Sequence, residues 1–238
     1  MILDRPYRGA KKARVLVVRT WQSEASLSLL MGLLVLTIFV LPLTELVSRY
    51  FNLYVDLCYS LLLLVGLALA WFQRRAFHVM LIVAVVSVGV RWASRWYPEL
   101  SVFREATMLA SILMTTYIVM EQVFRTGRVT SMRIRGSLAV YMLFGMAWAH
   151  AYQLVSSVYP GDAFSSKESM STVSAWIYYS FATLTTLGYG DVVPISRVAR
   201  MLAVGEAMTG QVYLTVLVAR LVALQVEARN ESDGAVAD

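Results

Sequence analysis

Six apolar segments, separated by short charged stretches, constrain this chain more than any other feature. They lie near residues 27–47, 53–72, 76–90, 106–124, 138–158 and 195–226. The hydrocarbon core of a bilayer is crossed by about 20 apolar residues in a helix. Because lipid offers no partner for free backbone groups, such segments must be helical. With 58% hydrophobic and 15% charged residues, the sequence predicts an all-α membrane protein with six transmembrane helices.

A seventh helical segment, residues 171–184, lies between the fifth and sixth spans. Its length of about 14 residues is too short to cross a bilayer, so we expect a re-entrant helix. The loop that follows reads Thr185-Thr186-Leu187-Gly188-Tyr189-Gly190-Asp191. Irregular backbone at membrane depth is tolerated only where protein or a water-filled cavity shields it. The loop is therefore a candidate lining for such a cavity.

This loop, between a short aromatic helix and a spanning helix, resembles the selectivity filter of potassium channels. Those channels line their narrowest passage with backbone carbonyls from four T-V-G-Y-G loops. The chain resembles the six-transmembrane, one-pore-loop, prokaryotic-like members of the superfamily, strongly over 136–226 and only in topology over 26–125. The resemblance implies a potassium-selective channel that conducts K⁺ passively. One loop per chain implies a homotetramer.

The filter residues carry the expected chemistry. Glycine reaches positive φ without steric cost, and Gly188 and Gly190 are spaced to let backbone handedness alternate, so that successive carbonyls face one axis. The resemblance assigns ion binding to Thr186, Leu187, Gly188, Tyr189 and Gly190, with K⁺ held by the carbonyls of the first four. It places Asp191 at the outer mouth, where four carboxylates would concentrate cations. We expect no other cofactor.

The short helix is expected to support the filter. Tyr189 should pack against aromatic residues of that helix, and the supporting residues are Trp176, Tyr178, Tyr179, Phe181 and Thr185. Some family members carry a glutamate that bonds the outer aspartate, but Ala182 occupies that position here. We therefore predict that Asp191 pairs with Tyr178.

The last span supplies the candidate cavity and gate residues, which are Glu206, Gly210, Gln211, Leu214, Val218 and Ala219. Gly210 is compatible with a hinge and, equally, with close helix packing. A carboxylate within a spanning helix is costly and usually faces protein or water. We expect Glu206 to lie behind the filter, bonded to hydroxyls of the short helix or to a neighbouring chain.

The first four spans, 26–125, resemble a voltage sensor without its gating charges. No basic residue lies between Arg104 and Arg125, whereas a sensor helix needs repeated arginines to move charge through the field. Asp56 in the second span has no obvious charged partner in the fourth. His150 fits a hydrogen-bonding packing residue better than a proton sensor. Voltage sensing by these spans is therefore not expected.

The charge distribution sets the expected orientation. The remaining segments are a basic N-terminal interfacial segment (1–25), a basic linker (126–135), the pore domain (136–226) and a short tail (227–238). With the N-terminus inside, 14 of the 21 Lys and Arg residues fall on the cytoplasmic side. We predict a multi-pass plasma-membrane protein with both termini cytoplasmic. Anionic lipid should bind the N-terminal segment and the linker, and nucleic acid is not an expected partner.

Two alternatives remain open from the sequence. One is a weakly selective cation channel, although the retained Tyr189 argues against it. The other is a non-conducting membrane sensor or accessory subunit that assembles with another channel. An enzyme is not expected, because the sequence offers no nucleophile–base or metal-binding constellation.

Overall fold

The computed structural model describes residues 25–45, 51–71, 73–124, 131–159, 163–166 and 170–237. Residues 1–24 of the predicted interfacial segment and residues 126–130 of the predicted linker lie outside this range. The lipid contacts predicted there therefore fall on undescribed residues.

Helices that match the six predicted spans are present. They are α1 (Ala25–Glu45), α2 (Phe51–Ala70), α3 (Arg74–Ala93), α4 (Ser101–Val123), α5 (Ser131–Val158) and α7 (Arg197–Ala237). A 3₁₀ turn, Pro98–Leu100, leads into α4. Each helix contains a stretch long and apolar enough to cross a membrane. The described part of the chain thus has the all-α, six-span architecture that the apolar segments predict.

The first helix contains a π-helical stretch, Leu36–Val40, just before Pro42. Leu41 N–H donates to the carbonyl of Leu36, five residues earlier. Proline has no N–H, and its ring clashes with the carbonyl four residues before it. The wider π turn is one of the recognised ways in which a helix accommodates an interrupted hydrogen-bond ladder.

The short seventh helix is α6 (Val173–Leu184). Its 12 residues extend about 18 Å at 1.5 Å per residue, well short of a bilayer core. Two three-residue strands, β1 (Phe164–Ser166) and β2 (Val192–Pro194), flank the helix and the loop after it. The strands pair antiparallel, with Ser165 opposite Val193. This pairing ties the end of the loop to the chain that leads into α6.

Among the described helices, α4 and α5 make the most extensive contact. It joins the first four helices to the part of the chain that carries the loop. Buried α1 residues Leu27, Leu30 and Leu34 add to the same core as Val119 and Val140. Because α4 and α5 are nearly consecutive, helices α1–α4, the four-helix unit, lie beside the segment of the same chain from α5 to α7, which we call the pore unit.

Much of the outer surface is apolar. On α3 only Met80 and Ser87 are buried, whereas Val79, Ile82 and Val85 are exposed. Soluble proteins rarely expose contiguous apolar surface on this scale. Together with the six long apolar helices, this surface identifies a multi-pass membrane protein.

Candidate functional site

The loop Thr185–Asp191 connects the C-terminus of α6 to strand β2. Ile195 N–H donates to the carbonyl of Ala163 at 2.9 Å, just beyond the paired strands. The loop is therefore anchored at both ends, and its conformation between them is set by short-range hydrogen bonds.

Backbone handedness alternates along this loop. The φ angles are +59° at Thr186, +55° at Gly188 and +76° at Gly190. Gly188 and Gly190 adopt positive φ as predicted. Left-handed residues at every second position turn successive carbonyls to one side, which is the arrangement that a row of carbonyl ligands needs.

The sequence predicts Thr186 as a ligand residue but does not reveal its positive φ. Positive φ is a genuine outlier for a β-branched side chain and costs about 1–3 kcal/mol. Two bonds to the end of α6 hold the strained backbone: Thr186 N–H donates to Thr183 O at 2.9 Å, and Gly188 N–H donates to Ala182 O at 3.1 Å. Both amides point back to α6, so the carbonyl row is free to face away from it.

Asp191 has the predicted partner. The Tyr178 hydroxyl donates to Asp191 Oδ2 at 2.7 Å, and the amide of Val192 donates to Oδ1 at 3.0 Å. The Tyr178 hydrogen bond holds the pKa of the exposed Asp191 carboxyl below its ordinary value. This end of the loop therefore keeps its negative charge at neutral pH.

The aromatic residues of α6 do not form the predicted support for Tyr189 within the chain. Trp176 packs edge-on to Phe164 with ring centroids 5.1 Å apart, and Tyr179 packs on Tyr152 at 4.8 Å. Both rings are thus buried behind α6, on the α5 and β1 side.

The other residues of the predicted support also lie elsewhere. The Phe181 ring lies against Gly145 of α5, where an added Cβ would come within 2.4 Å of ring atom Cζ. Thr185 Oγ1 donates to Phe181 O at 2.7 Å, which places it at the end of α6. Tyr189 itself is 68% exposed. Any packing surface for Tyr189 must then come largely from outside its own chain.

Glu206 lies behind α6, as one of the two expected arrangements requires. Its side chain is fully buried and accepts from Ser180 Oγ and from Tyr152 OH, each at 2.5 Å. Ser180 Oγ also lies 2.7 Å from Gly145 O. The carboxyl therefore joins α5, α6 and α7. Its assignment among cavity-lining residues was wrong, because it faces the chain's own interior.

Gly210 is a packing position in this structure. Leu184 is the last residue of α6. A Cβ added at Gly210 would lie 2.3 Å from the Leu184 carbonyl oxygen. The α7 helix runs without a break through this point. The alternative of close packing is thus favoured over the hinge, and Gly210, like Glu206, does not line a cavity.

The remaining candidates on α7 lie on a different face. Gln211, Leu214, Val218 and Ala219 are all exposed in the single chain. On the opposite face, the Tyr213 hydroxyl donates to Ser137 O at 2.8 Å. The exposed face is available to line a shared cavity or to contact another chain.

Asp56 finds its charged partners in the last turn of the third helix and just beyond it, not on the fourth helix. Arg91 Nη1 lies 3.3 Å from Asp56 Oδ1, and Arg95 Nη2 pairs with Oδ2. His150 is a hydrogen-bonding packing residue, as expected: its ring contacts Glu105 Oε2 at 2.9 Å and the Tyr59 hydroxyl at 2.7 Å. These groups lie where the four-helix unit meets α5.

Gly210→Ala should destabilise the fold. The new methyl meets a backbone carbonyl that cannot rotate away, and overpacking of this kind costs about 1–3 kcal/mol. Denaturant titration of the purified protein in micelles measures the change. Gly89→Ala is the matched control, since its Cβ meets nothing within 4 Å. Equal stability of the two variants would contradict this packing role.

Glu206→Ala should also destabilise the protein, because it leaves the buried Tyr152 hydroxyl without its acceptor at about 1–3 kcal/mol, while Ser180 keeps the Gly145 carbonyl. Glu206→Gln keeps an acceptor in place and should lose much less. The same titration compares them. An equal loss in both variants would show that shape and hydrogen bonding are not what this carboxyl contributes.

Comparison with known proteins gives matches within the pore segment. Residues 136–227 match the family model described as "Ion channel". Over 85 residues, 36% of this chain and 27% of the relative, the chain is 34% identical to "Two-pore potassium channel 4" of Arabidopsis thaliana.

A second relative is bacterial. Over 63 residues, 26% of this chain and 46% of the relative, the chain is 40% identical to "Protein LctB" of Bacillus caldotenax. The chain thus spans less than half the length of either curated relative. No solved structure matches it. Through the segment that holds most of α5, the loop and most of α7, the chain is thus similar to ion channels, a potassium channel among them.

Proposed function

We propose that the chain is a subunit of a homotetrameric channel that conducts K⁺ passively across the plasma membrane. The observation that carries the proposal is the alternation of φ at Thr186, Gly188 and Gly190. The carbonyls of Thr186, Leu187, Gly188 and Tyr189 replace the water shell of the ion. No further cofactor takes part, and K⁺ is the permeant species.

The proposed tetramer accounts for apolar side chains that one chain alone leaves exposed. Leu187 is 55% exposed and Tyr189 68% exposed, and the α7 face with Leu214 and Val218 is open. A single row of carbonyls cannot surround an ion. Four copies close the ring, cover Tyr189 with a neighbouring subunit, and bring the four α7 faces together below the filter.

The orientation places Asp191 outside and both termini inside. Lys and Arg predominate on the cytoplasmic side of membrane proteins. The helix α6 points its C-terminus, with its partial negative charge, towards the cavity below the filter and favours a cation there. Anionic lipids contact the basic segments on the cytoplasmic side.

Gating by voltage through α4 is not part of this proposal. Between Arg104 and the end of α4 the helix carries no basic residue. Charges in the four-helix unit sit instead in fixed pairs near helix ends, as with Asp56 and Arg91. Moving such pairs through the field would transfer little net charge.

Potassium flux into liposomes that contain the purified chain alone tests conduction. Wild type should carry K⁺ and much less Na⁺, and barium should block it. Gly188→Ala should abolish flux without preventing assembly, since alanine disfavours the positive φ that the carbonyl row needs.

Gly32→Ala, a glycine with no neighbour within 4 Å of an added Cβ, is the matched control and should conduct normally. Flux through Gly188→Ala would refute the carbonyl row. Equal Na⁺ and K⁺ flux in wild type would favour a weakly selective pore, and no flux at all would favour an accessory subunit.

External acid should reduce current at a lower pH in wild type than in Tyr178→Phe. The Tyr178 hydroxyl stabilises the ionised Asp191, so the carboxylate stays charged until the pH falls below its lowered pKa. Removing the donor moves that pKa back up towards its ordinary value. As the external pH is lowered, the current should therefore begin to fall at a higher pH in the variant than in wild type.

Tyr97→Phe, an exposed tyrosine outside the filter region, should leave the pH profile of the current unchanged. Asp191→Asn should remove the titration and lower the current at neutral pH. Identical profiles in wild type and Tyr178→Phe would contradict the role of this hydrogen bond.

A further inference from the structure

A cavity of about 370 Å³ lies where the four-helix unit meets the pore unit. Its wall includes residues of α2, α3, α4 and α5 and the segment that leads into α6. The volume equals roughly a dozen waters at about 30 Å³ each, and it falls in the range of small-ligand pockets. Nothing in the proposed conduction mechanism uses it.

The charges on the wall leave one positive charge unbalanced. Arg91, Arg95 and Arg104 face two carboxylates, Asp56 and Glu105. The two Asp56 oxygens bind Arg91 of α3 and Arg95 of the turn that follows it. Both Glu105 oxygens are also engaged, Oε1 by Arg104 Nε at 2.9 Å and Oε2 by His150.

Donors therefore exceed acceptors around the cavity. Each guanidinium carries five N–H groups, and Arg95 and Arg104 remain 51% and 38% exposed in their side chains. Arg91 also donates to the Asp56 carbonyl and to Met108 Sδ, so the N–H groups that remain open to a ligand belong mainly to Arg95 and Arg104. A ligand with acidic oxygens would supply the missing acceptors and the missing negative charge.

One buried acceptor on the cavity wall, by contrast, lacks a hydrogen-bond donor. Among the described residues, Gln153 Oε1 is buried and has no hydrogen-bond partner, and Gln153 lines this cavity. A buried acceptor without a hydrogen bond destabilises the protein. The ligand that fits the cavity therefore combines an anionic group for the arginines with a hydroxyl donor for Gln153.

The position of the cavity indicates where such a ligand comes from. Arg91 is in the last turn of α3, Asp56 near the start of α2, and Arg104 in the first turn of α4. Trp92, Trp96 and Tyr97 are exposed beside them. Tryptophan and tyrosine mark the membrane–water interface, so the cavity lies at the level of lipid headgroups.

We propose that this cavity binds a singly charged phosphodiester headgroup that carries free hydroxyls, as in a phosphatidylglycerol lipid. The phosphate lies among Arg91, Arg95 and Arg104, and a headgroup hydroxyl donates to Gln153 Oε1. The bound headgroup links the four-helix unit to α5 and to the start of α6. A phosphate and free hydroxyls are also combined in free glycerol 3-phosphate, a phosphomonoester, and the experiment separates this source from the lipid.

The test uses delipidated protein in micelles, with lipid binding followed by native mass spectrometry and by the thermal midpoint. The probes are phosphatidylglycerol, phosphatidylcholine, a phosphatidylpropanol that lacks headgroup hydroxyls, and glycerol 3-phosphate alone. Wild type should bind phosphatidylglycerol most tightly. Arg95→Gln with Arg104→Gln should weaken that binding about tenfold. Arg197→Gln, an exposed arginine at the start of α7 and outside the cavity, should bind as wild type does.

Gln153→Leu keeps the proposal testable if the arginine variants fold poorly. It removes the unsatisfied acceptor, so the protein without lipid should be at least as stable as wild type. The variant should no longer distinguish phosphatidylglycerol from phosphatidylpropanol. Equal binding of phosphatidylcholine and phosphatidylglycerol in wild type would overturn the proposal. An unchanged preference in Gln153→Leu would also overturn it, and so would saturation by glycerol 3-phosphate alone.

Discussion

The loop Thr185–Asp191 has a strained backbone, and hydrogen bonds to the end of α6 hold it in place. Thr186 adopts a left-handed conformation that a β-branched residue avoids, and its amide and that of Gly188 bond to carbonyls at the end of α6. The strain persists only if α6 stays fixed relative to the loop. Much of the remaining pore unit serves that purpose.

Several contacts fix α6 from behind. Glu206 bridges its Ser180 to Tyr152 of α5, and Gly210 lets α7 approach the Leu184 carbonyl closely. Trp176 and Tyr179 pack on Phe164 and Tyr152, so the rings brace the helix against its own chain. On the front of α6, Tyr178 faces the loop and donates to Asp191.

Some of this could be predicted from the sequence and some could not. Apolar length predicts the spans because the bilayer imposes it, and the spacing of Gly188 and Gly190 predicts the alternation because glycine permits it. The Tyr178–Asp191 hydrogen bond was predicted as well.

Thr186 gives no sequence signal for positive φ, since the surrounding hydrogen bonds impose this conformation against the preference of a β-branched residue. Helix α6 has aromatic residues on several sides, so its pattern could not tell that Trp176 and Tyr179 face inward. Asp56 pairs with α3 because of how the helices pack, which the residue order does not reveal.

The most direct measurement is the reversal potential of single channels formed by the purified chain, with K⁺ on one side of the bilayer and Na⁺ on the other. If alternating carbonyls replace the hydration of the ion, the reversal potential should lie far from zero, in the direction set by K⁺ permeation. A reversal potential near zero with clear openings would mean that the loop does not distinguish the two ions, and the central claim would be wrong.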